Sequence, residues 1–177
     1  MKIDIRPLEM RDARAVYEAV DESRLEVSRW MDWCRPTYGP RDAEAWIRST
    51  MLGREEGSCF QFGIFARRRR RLLGACGLSH IEPQVRLANL GYWVRTRASG
   101  RGIAPEAACR VIDWAFANTD LQRIEILAAV GNLRSQRVAE KLGATREGVL
   151  RSRLAVFGKH YDAVMFSIIR GDELRRD

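Results

Sequence analysis

The chain has 177 residues, 46% of them hydrophobic and 31% charged, with a formal net charge of +8. That length and balance predict one globular domain, residues 1–177, with a full-sized core. No apolar run approaches the about 20 residues of a membrane span. No membrane partner is expected, and the expected location is cytoplasmic.

The N-terminus reads Met1-Lys2-Ile3-Asp4-Ile5, a strand pattern over Ile3 to Arg6 and not a signal peptide. Asp12 to Val20 is predicted helical, with Ala13, Val16, Tyr17 and Val20 on one side. A second helix is predicted from Glu22 to Met31, ending in Trp30-Met31-Asp32-Trp33. Pro36 and Pro40 break the pattern, and Arg41 to Glu55 forms the next helix. Three strands follow, Cys59–Ala66, Leu72–Ile81 and Leu87–Val94, as an antiparallel meander.

Ala104 to Asn118 is an apolar helix and Arg123 to Val130 an alternating strand. Arg134 to Leu142 is a short helix stopped by Gly143, and Thr145–Arg151 and Tyr161–Ile169 close the chain as strands. Helices early, a meander, then strand–helix–strand imply an α/β (α+β) domain with one mixed sheet and helices on both faces.

Cys34, Cys59, Cys76 and Cys109 are scattered, with no C-x-x-C pair. Such cysteines read as buried thiols in a reducing compartment, so neither a metal site nor a disulfide is expected. Arg67–Arg71 holds five of the net eight charges and looks like the tip of a hairpin. A solvated turn accounts for it; a cofactor phosphate, an acidic protein or nucleic acid are the alternatives. The run has no interleaved aromatics, which argues against a nucleic-acid partner.

The richest stretch is Arg97-Ala-Ser-Gly100-Arg-Gly102-Ile-Ala-Pro105-Glu-Ala107, between a strand and a helix. Gly100 and Gly102 permit a tight turn and close approach of a ligand. Pro105 suits the first position of a helix, where a backbone N–H has no intrahelical partner to lose. The amides before it, with the helix dipole behind them, suit a phosphate. The third glycine of a Rossmann turn and the G-K-S/T of a P-loop are both absent. At this point a helix-capping loop without a ligand remains open.

Further pieces join it: Arg6-Pro7-Leu8, Arg29-Trp30-Met31 followed by Trp33, Gly91-Tyr92-Trp93-Val94, Asn132-x-x-Ser135-x-x-Val138-x-x-Lys141-Leu142-Gly143, and Glu147-Gly148. With Arg97-x-x-Gly100-x-Gly102 upstream, this set resembles the GNAT N-acetyltransferase superfamily, specifically its RimJ/RimL-like branch. The resemblance covers nearly the whole chain. It implies a mostly antiparallel sheet with one splayed parallel strand pair.

It also implies acetyl-CoA as cosubstrate, no metal, and an amine acceptor: a protein N-terminus of the ribosomal-protein type, or a small amine, amino acid or peptide antibiotic. A CoA-binding or nucleic-acid-binding module without catalysis is the reading from another class. Homodimers are common among such relatives, and a dimer is expected here.

The resemblance places the cofactor on Val94, Arg95, Arg97, Ser99, Gly100, Arg101, Gly102, Ile103, Ala104 and Asn132. The pantetheine arm would run between the strand ending at Val94 and the strand starting at Arg123, and an N–H near Val94 would serve the oxyanion. Asn132 and Ser135 are the catalytic candidates, with Ser135 protonating the leaving thiolate. The tyrosine that many relatives use falls at Ala139 here.

Trp30, Trp33, Tyr92, His160 and Tyr161 are the acceptor-site candidates. Two positions that hold carboxylates in relatives are Leu154 and Asn89 here. The proton acceptor is therefore open among Asp162, His160, His80 and Glu26, acting through water.

Overall fold

The computed structural model describes residues 2–67 and 71–175. Residues 68–70, the middle of the arginine run, lie outside the described residues. The elements in order are β1 Ile3–Pro7, α1 Ala13–Ser28, α2 Pro40–Glu55, β2 Phe60–Ala66, β3 Leu72–Glu82, β4 Leu87–Val94, α3 Ile103–Asn118, β5 Arg123–Ala129, α4 Leu133–Leu142, β6 Thr145–Val156 and β7 Lys159–Ile169.

The seven strands form one sheet in the order β1-β2-β3-β4-β5-β7-β6, and all neighbours are antiparallel except β4 and β5. Helices cover both faces, as expected. On one, Val16, Ala19, Val20 and Val27 of α1 and Ile47 of α2 pack on Phe65, Leu72, Ala75 and Trp93. On the other, Ala107, Ala108, Val111 and Ile112 of α3 pack on Ile64, Leu78, Ala88 and Ile124. β3 is consequently buried without a break from Leu72 to Leu78, since a strand covered on both faces loses its polar alternation. Among the described residues no helix is long and apolar enough to cross a membrane.

Two boundaries differ from the sequence reading. The helices expected over Asp12–Val20 and Glu22–Met31 are one helix, α1. Nothing at Asp21 or Glu22 breaks it, and the buried stripe runs on through Ser23 and Val27. It ends at Ser28, so Trp30–Trp33 lie in the α1–α2 connection. β6 extends to Val156, past the expected Arg151, and meets β7 from Lys159. Its register slips between Leu150 and Leu154, and Ser152 has φ +53°. That bulge interrupts the alternation by which a strand is recognised.

Candidate functional site

The parallel pairing of β4 with β5 is short: Leu87 with Arg123, Ala88 with Ile124, Asn89 with Glu125, and no further. Both strands continue, β4 held by β3 as far as Val94 and β5 by β7 as far as Ala129. Their facing edges therefore diverge. The gap is a cleft of about 620 Å³ whose walls include Leu90 to Val94, Ile126, Leu127 and Ala129.

The glycine loop closes one end, and Ser99 and Ala104 line the cleft there. Gly102 caps α3 with φ +73°, a left-handed conformation that favours glycine. No hydrogen bond within the described chain takes up the amides of Gly100, Arg101 or Gly102. Ile103 and Ala104 open α3, and the first amides of a helix have no intrahelical partner. Pro105 has none to offer. Arg97, Gly100, Arg101, Gly102 and Ile103 stand in this loop without lining the cleft itself.

Arg95 differs. Its guanidinium is buried on Glu22 at 2.8 Å and on the Leu72 carbonyl at 2.8 Å, and its amide donates to Leu73 at 2.7 Å. Both its backbone and its side-chain donors thus serve the fold.

Asn132 and Ser135 lie at the start of α4, and both line the cleft beside Val94 and Tyr92. Asn132 is the helix N-cap: its Oδ1 accepts from the Ser135 amide at 3.2 Å. The Ser135 hydroxyl is 3.0 Å from the Tyr92 phenol, which also lies 3.1 Å from the Ser135 carbonyl. Burial pushes the Tyr92 phenol well above its ordinary pKa, and the Ser135 bond offsets this only in part. Ala139 is fully buried in the core on the same helix.

The acceptor-site candidates divide. Trp30 lines the cleft, and a Cβ on Gly131 would sit 3.2 Å from its indole, so the glycine permits that approach. Tyr161 meets Trp30 edge to face at 6.3 Å. His160 is exposed near the β6–β7 turn. Trp33 lies elsewhere: it lines a separate cavity and meets the Trp93 ring at a tilt, 5.9 Å between centroids.

Leu154 and Asn89 both line the cleft, so the two positions lacking a carboxylate are in its wall. Asn89 Oδ1 is buried with no hydrogen-bond partner among the described residues. Of the four proton acceptors weighed, only Glu26 lines the cleft, where it accepts from the Thr96 hydroxyl at 2.9 Å. Asp162 accepts from the Ser152 amide, and His80 shares a hydrogen bond with Ser79.

Two cationic side chains of the wall, Arg29 and Arg134, were given no site role from the sequence, although Arg29 stands in the Arg29-Trp30-Met31 element. Arg134 stands between Asn132 and Ser135, so the helix-start signal was its available marker. Arg29 lies 5.1 Å over the Trp30 ring.

Residues 2–145 match the Acetyltransferase (GNAT) domain family. The chain is 31% identical over 173 residues to the Probable N-acetyltransferase YjcK of Bacillus subtilis (strain 168), covering 97% of this chain and 96% of the relative. It is 22% identical over 149 residues to the Ribosomal-protein-serine acetyltransferase of Escherichia coli (strain K12), covering 84% and 82%. The fold superposes on RimL, a ribosomal L7/L12 alpha-N-protein acetyltransferase in complex with coenzyme A, with a TM-score of 0.88 over 96% of this chain and 94% of the other at 21% identity.

Proposed function

The chain belongs to the GNAT acetyltransferase family, and from that premise we propose that it moves an acetyl group from acetyl-CoA to the primary amine of a protein N-terminus of the ribosomal-protein type. The observation that carries this reading is the divergence of β4 from β5 after Asn89 and Glu125. It leaves strand-edge backbone groups facing a cleft that ends in a loop of unused amides. An elongated, amide-rich and phosphorylated cosubstrate fits both features. The ribosomal acceptor rests on the relative that acts on a ribosomal-protein serine.

Arg97 and the amides from Gly100 to Ala104 hold the pyrophosphate, and the free edge of β4 toward Val94 holds the pantetheine arm. The neutral amine attacks the thioester carbonyl, and the Val94 region supplies an N–H to the oxyanion. The amine proton leaves through water, with Glu26 as the carboxylate of the wall. C–S cleavage expels a thiolate, which takes the proton of Ser135 as the proton that the amine released to water is returned to the serine, so that no alkoxide is left.

Tyr92 makes that transfer possible. Its single phenolic hydrogen has two acceptors on Ser135, the carbonyl and the hydroxyl. While Tyr92 donates to the carbonyl, the Ser135 hydrogen bonds the phenol oxygen. When Tyr92 donates to Oγ instead, the Ser135 hydrogen is released toward the sulfur. The raised pKa keeps the phenol protonated throughout.

Trp30 and Tyr161 flank the acceptor. The protein works in the cytoplasm as a homodimer; exposed Val149 and Leu150 on the edge strand β6 and Phe157 at its turn support a self-association surface. The test is release of free thiol from acetyl-CoA across a panel of N-terminal peptides, amino acids and polyamines. Turnover of peptides above the other amines is expected. A panel turned over only through amino acids or polyamines overturns the acceptor, and no turnover overturns the reaction.

A further inference from the structure

A second cavity, of about 370 Å³, lies outside the acetyl-transfer cleft and is lined by Asp32, Trp33, Arg35, Tyr38, Asp42 and Trp46. Three of its six side chains are aromatic and two are carboxylates. On a chain of net charge +8, its own ionised groups sum to a net negative charge: two carboxylates against one guanidinium.

The rings are already positioned. Trp33 meets Tyr38 at 5.8 Å and Trp93 at 5.9 Å, which fixes its indole. Trp46 comes from α2, lines the same cavity and stacks on neither Trp33 nor Tyr38. The space beside these rings is therefore not filled by ring-on-ring packing.

The polar groups are unevenly committed. Asp42 is occupied: one oxygen takes the Gly39 amide at 2.8 Å and the other Arg35 at 3.1 Å. Asp32 is exposed and makes no hydrogen bond or ion pair within the described chain. Tyr38 is only 6% exposed, lines this cavity, and its phenol has no hydrogen-bond partner among the described residues. Its ring is packed in the wall while its hydroxyl is not one of the buried polar atoms lacking a partner, so the oxygen reaches solvent and offers a lone pair to a group entering the cavity.

We propose that this cavity is an organic-cation subsite that takes an alkylammonium group between Trp33, Tyr38 and Trp46, with Asp32 as its counter-charge. Aromatic faces attract cations through the ring quadrupole, most strongly where the group is partly desolvated. Arg35 does not fill the role, because its guanidinium is turned to Asp42 and stays largely exposed, at 59%.

The location gives the subsite its use. Trp30 and Met31 line the main cleft, and the next two residues, Asp32 and Trp33, line this cavity. Trp93 lies in the cleft wall and packs against Trp33 in a tilted ring contact at 5.9 Å. A molecule whose amine is acetylated in the cleft can therefore place a second, cationic group in the cavity. This last point rests on the acetyl-transfer reading above; the cation site itself does not. The same chemistry is offered by a basic side chain of an acceptor peptide or by a free polyamine.

The decisive probe is a quaternary one that cannot accept an acetyl group. N-acetyl-trimethyllysine methylamide and its neutral counterpart N-acetyl-norleucine methylamide are titrated calorimetrically into the full chain, without acetyl-CoA and at low salt. The cation is expected to bind about fivefold to tenfold tighter. Asp32→Asn and Trp46→Leu should each remove most of that preference. Asp32 holds nothing in the fold, so its variant keeps the test open if Trp46→Leu is poorly folded. Equal affinity of the two probes, or a preference retained in Asp32→Asn, overturns the proposal.

Two further arms assign the source. A norleucine-to-lysine change in an acceptor peptide that raises kcat/KM about fivefold in the unmodified protein, and not in Asp32→Asn, assigns the group to the acceptor. Spermidine binding that Asp32→Asn weakens, with no such peptide effect, assigns it to a free polyamine. Both support the subsite. Absence of acetyl transfer to every amine would remove the enzymatic reading and leave the quaternary-probe result standing.

Discussion

The Tyr92 phenol on β4 and the Ser135 hydroxyl on α4 lie 3.0 Å apart, although 43 residues separate them in sequence. The contact ties the splayed strand to the helix start that caps the cleft. It also makes the proton of one hydroxyl conditional on the orientation of the other.

Ser135→Ala is expected to lower kcat by roughly tenfold to a hundredfold, at the lower end for general acid catalysis. A thiol of pKa about 8.5 already leaves as a fair anion. KM for acetyl-CoA should change little. Tyr92→Phe should lower kcat as well, yet add little in the Ser135→Ala background, because the two act as one unit. Steady-state kinetics on any accepted amine checks this; a full kcat with raised KM in Ser135→Ala would show that the serine only binds.

Gly102→Val should weaken CoA binding by about tenfold or more. The residue sits at φ +73°, which costs an L side chain roughly 1–2 kcal/mol, and a branched Cβ is stiffer still. Calorimetric titration with CoA is the measurement. Unchanged affinity in a folded variant would take the loop out of the site.

Glu22→Ala should destabilise the fold by about 3 kcal/mol. Glu22 accepts from Arg95, whose side chain is 6% exposed, and from Arg71. Removing the carboxylate leaves the Arg95 charge buried without its acidic partner. Arg71→Ala breaks only the half-exposed arm, and its cost should stay under about 1 kcal/mol. Urea unfolding of both variants separates the two; equal costs would show that the buried arm carries no special weight.

Glu147 joins the last three strands of the sheet. Arg123 on β5 and the Ser167 hydroxyl on β7 both donate to it, which lowers its pKa from 4.5 to about 2. A carboxyl whose folded value lies below its unfolded one stabilises the fold above the unfolded value. That contribution is lost as pH falls from about 4.5 to about 2. Stability should therefore decline across this window, and Glu147→Gln should flatten the decline. Glu147 is 38% exposed, so the effect should shrink at high salt. Denaturation at pH 7 and pH 3 reads it directly; a variant with the undiminished decline would assign the acid sensitivity elsewhere.

Much of this molecule was legible in local patterns. Alternation in residues 123–129 and the apolar stripe of residues 104–118 marked a strand and a helix, because burial on one face leaves a period in the sequence. Gly100, Gly102 and Pro105 marked the amide-rich loop, because only certain residues adopt those backbone conformations. Asn132 and Ser135 were legible together for the same reason: a helix start is a local event.

Spatial commitments were not legible. Arg95 adjoins the loop in sequence, yet its side chain pairs with Glu22 across the structure. Trp30 and Trp33 look equivalent in the chain, yet the turn after Ser28 sends one into the cleft and the other against Trp93.

The sequence by itself determined the elements, the glycine loop and the helix cap, since each depends on residues within a few positions of one another. Only the tertiary structure decided where β4 leaves β5, that Tyr92 meets Ser135, and that the α1–α2 connection walls two cavities. Those features depend on which strand edges pair and which faces pack, contacts between residues far apart in the chain that no local period records.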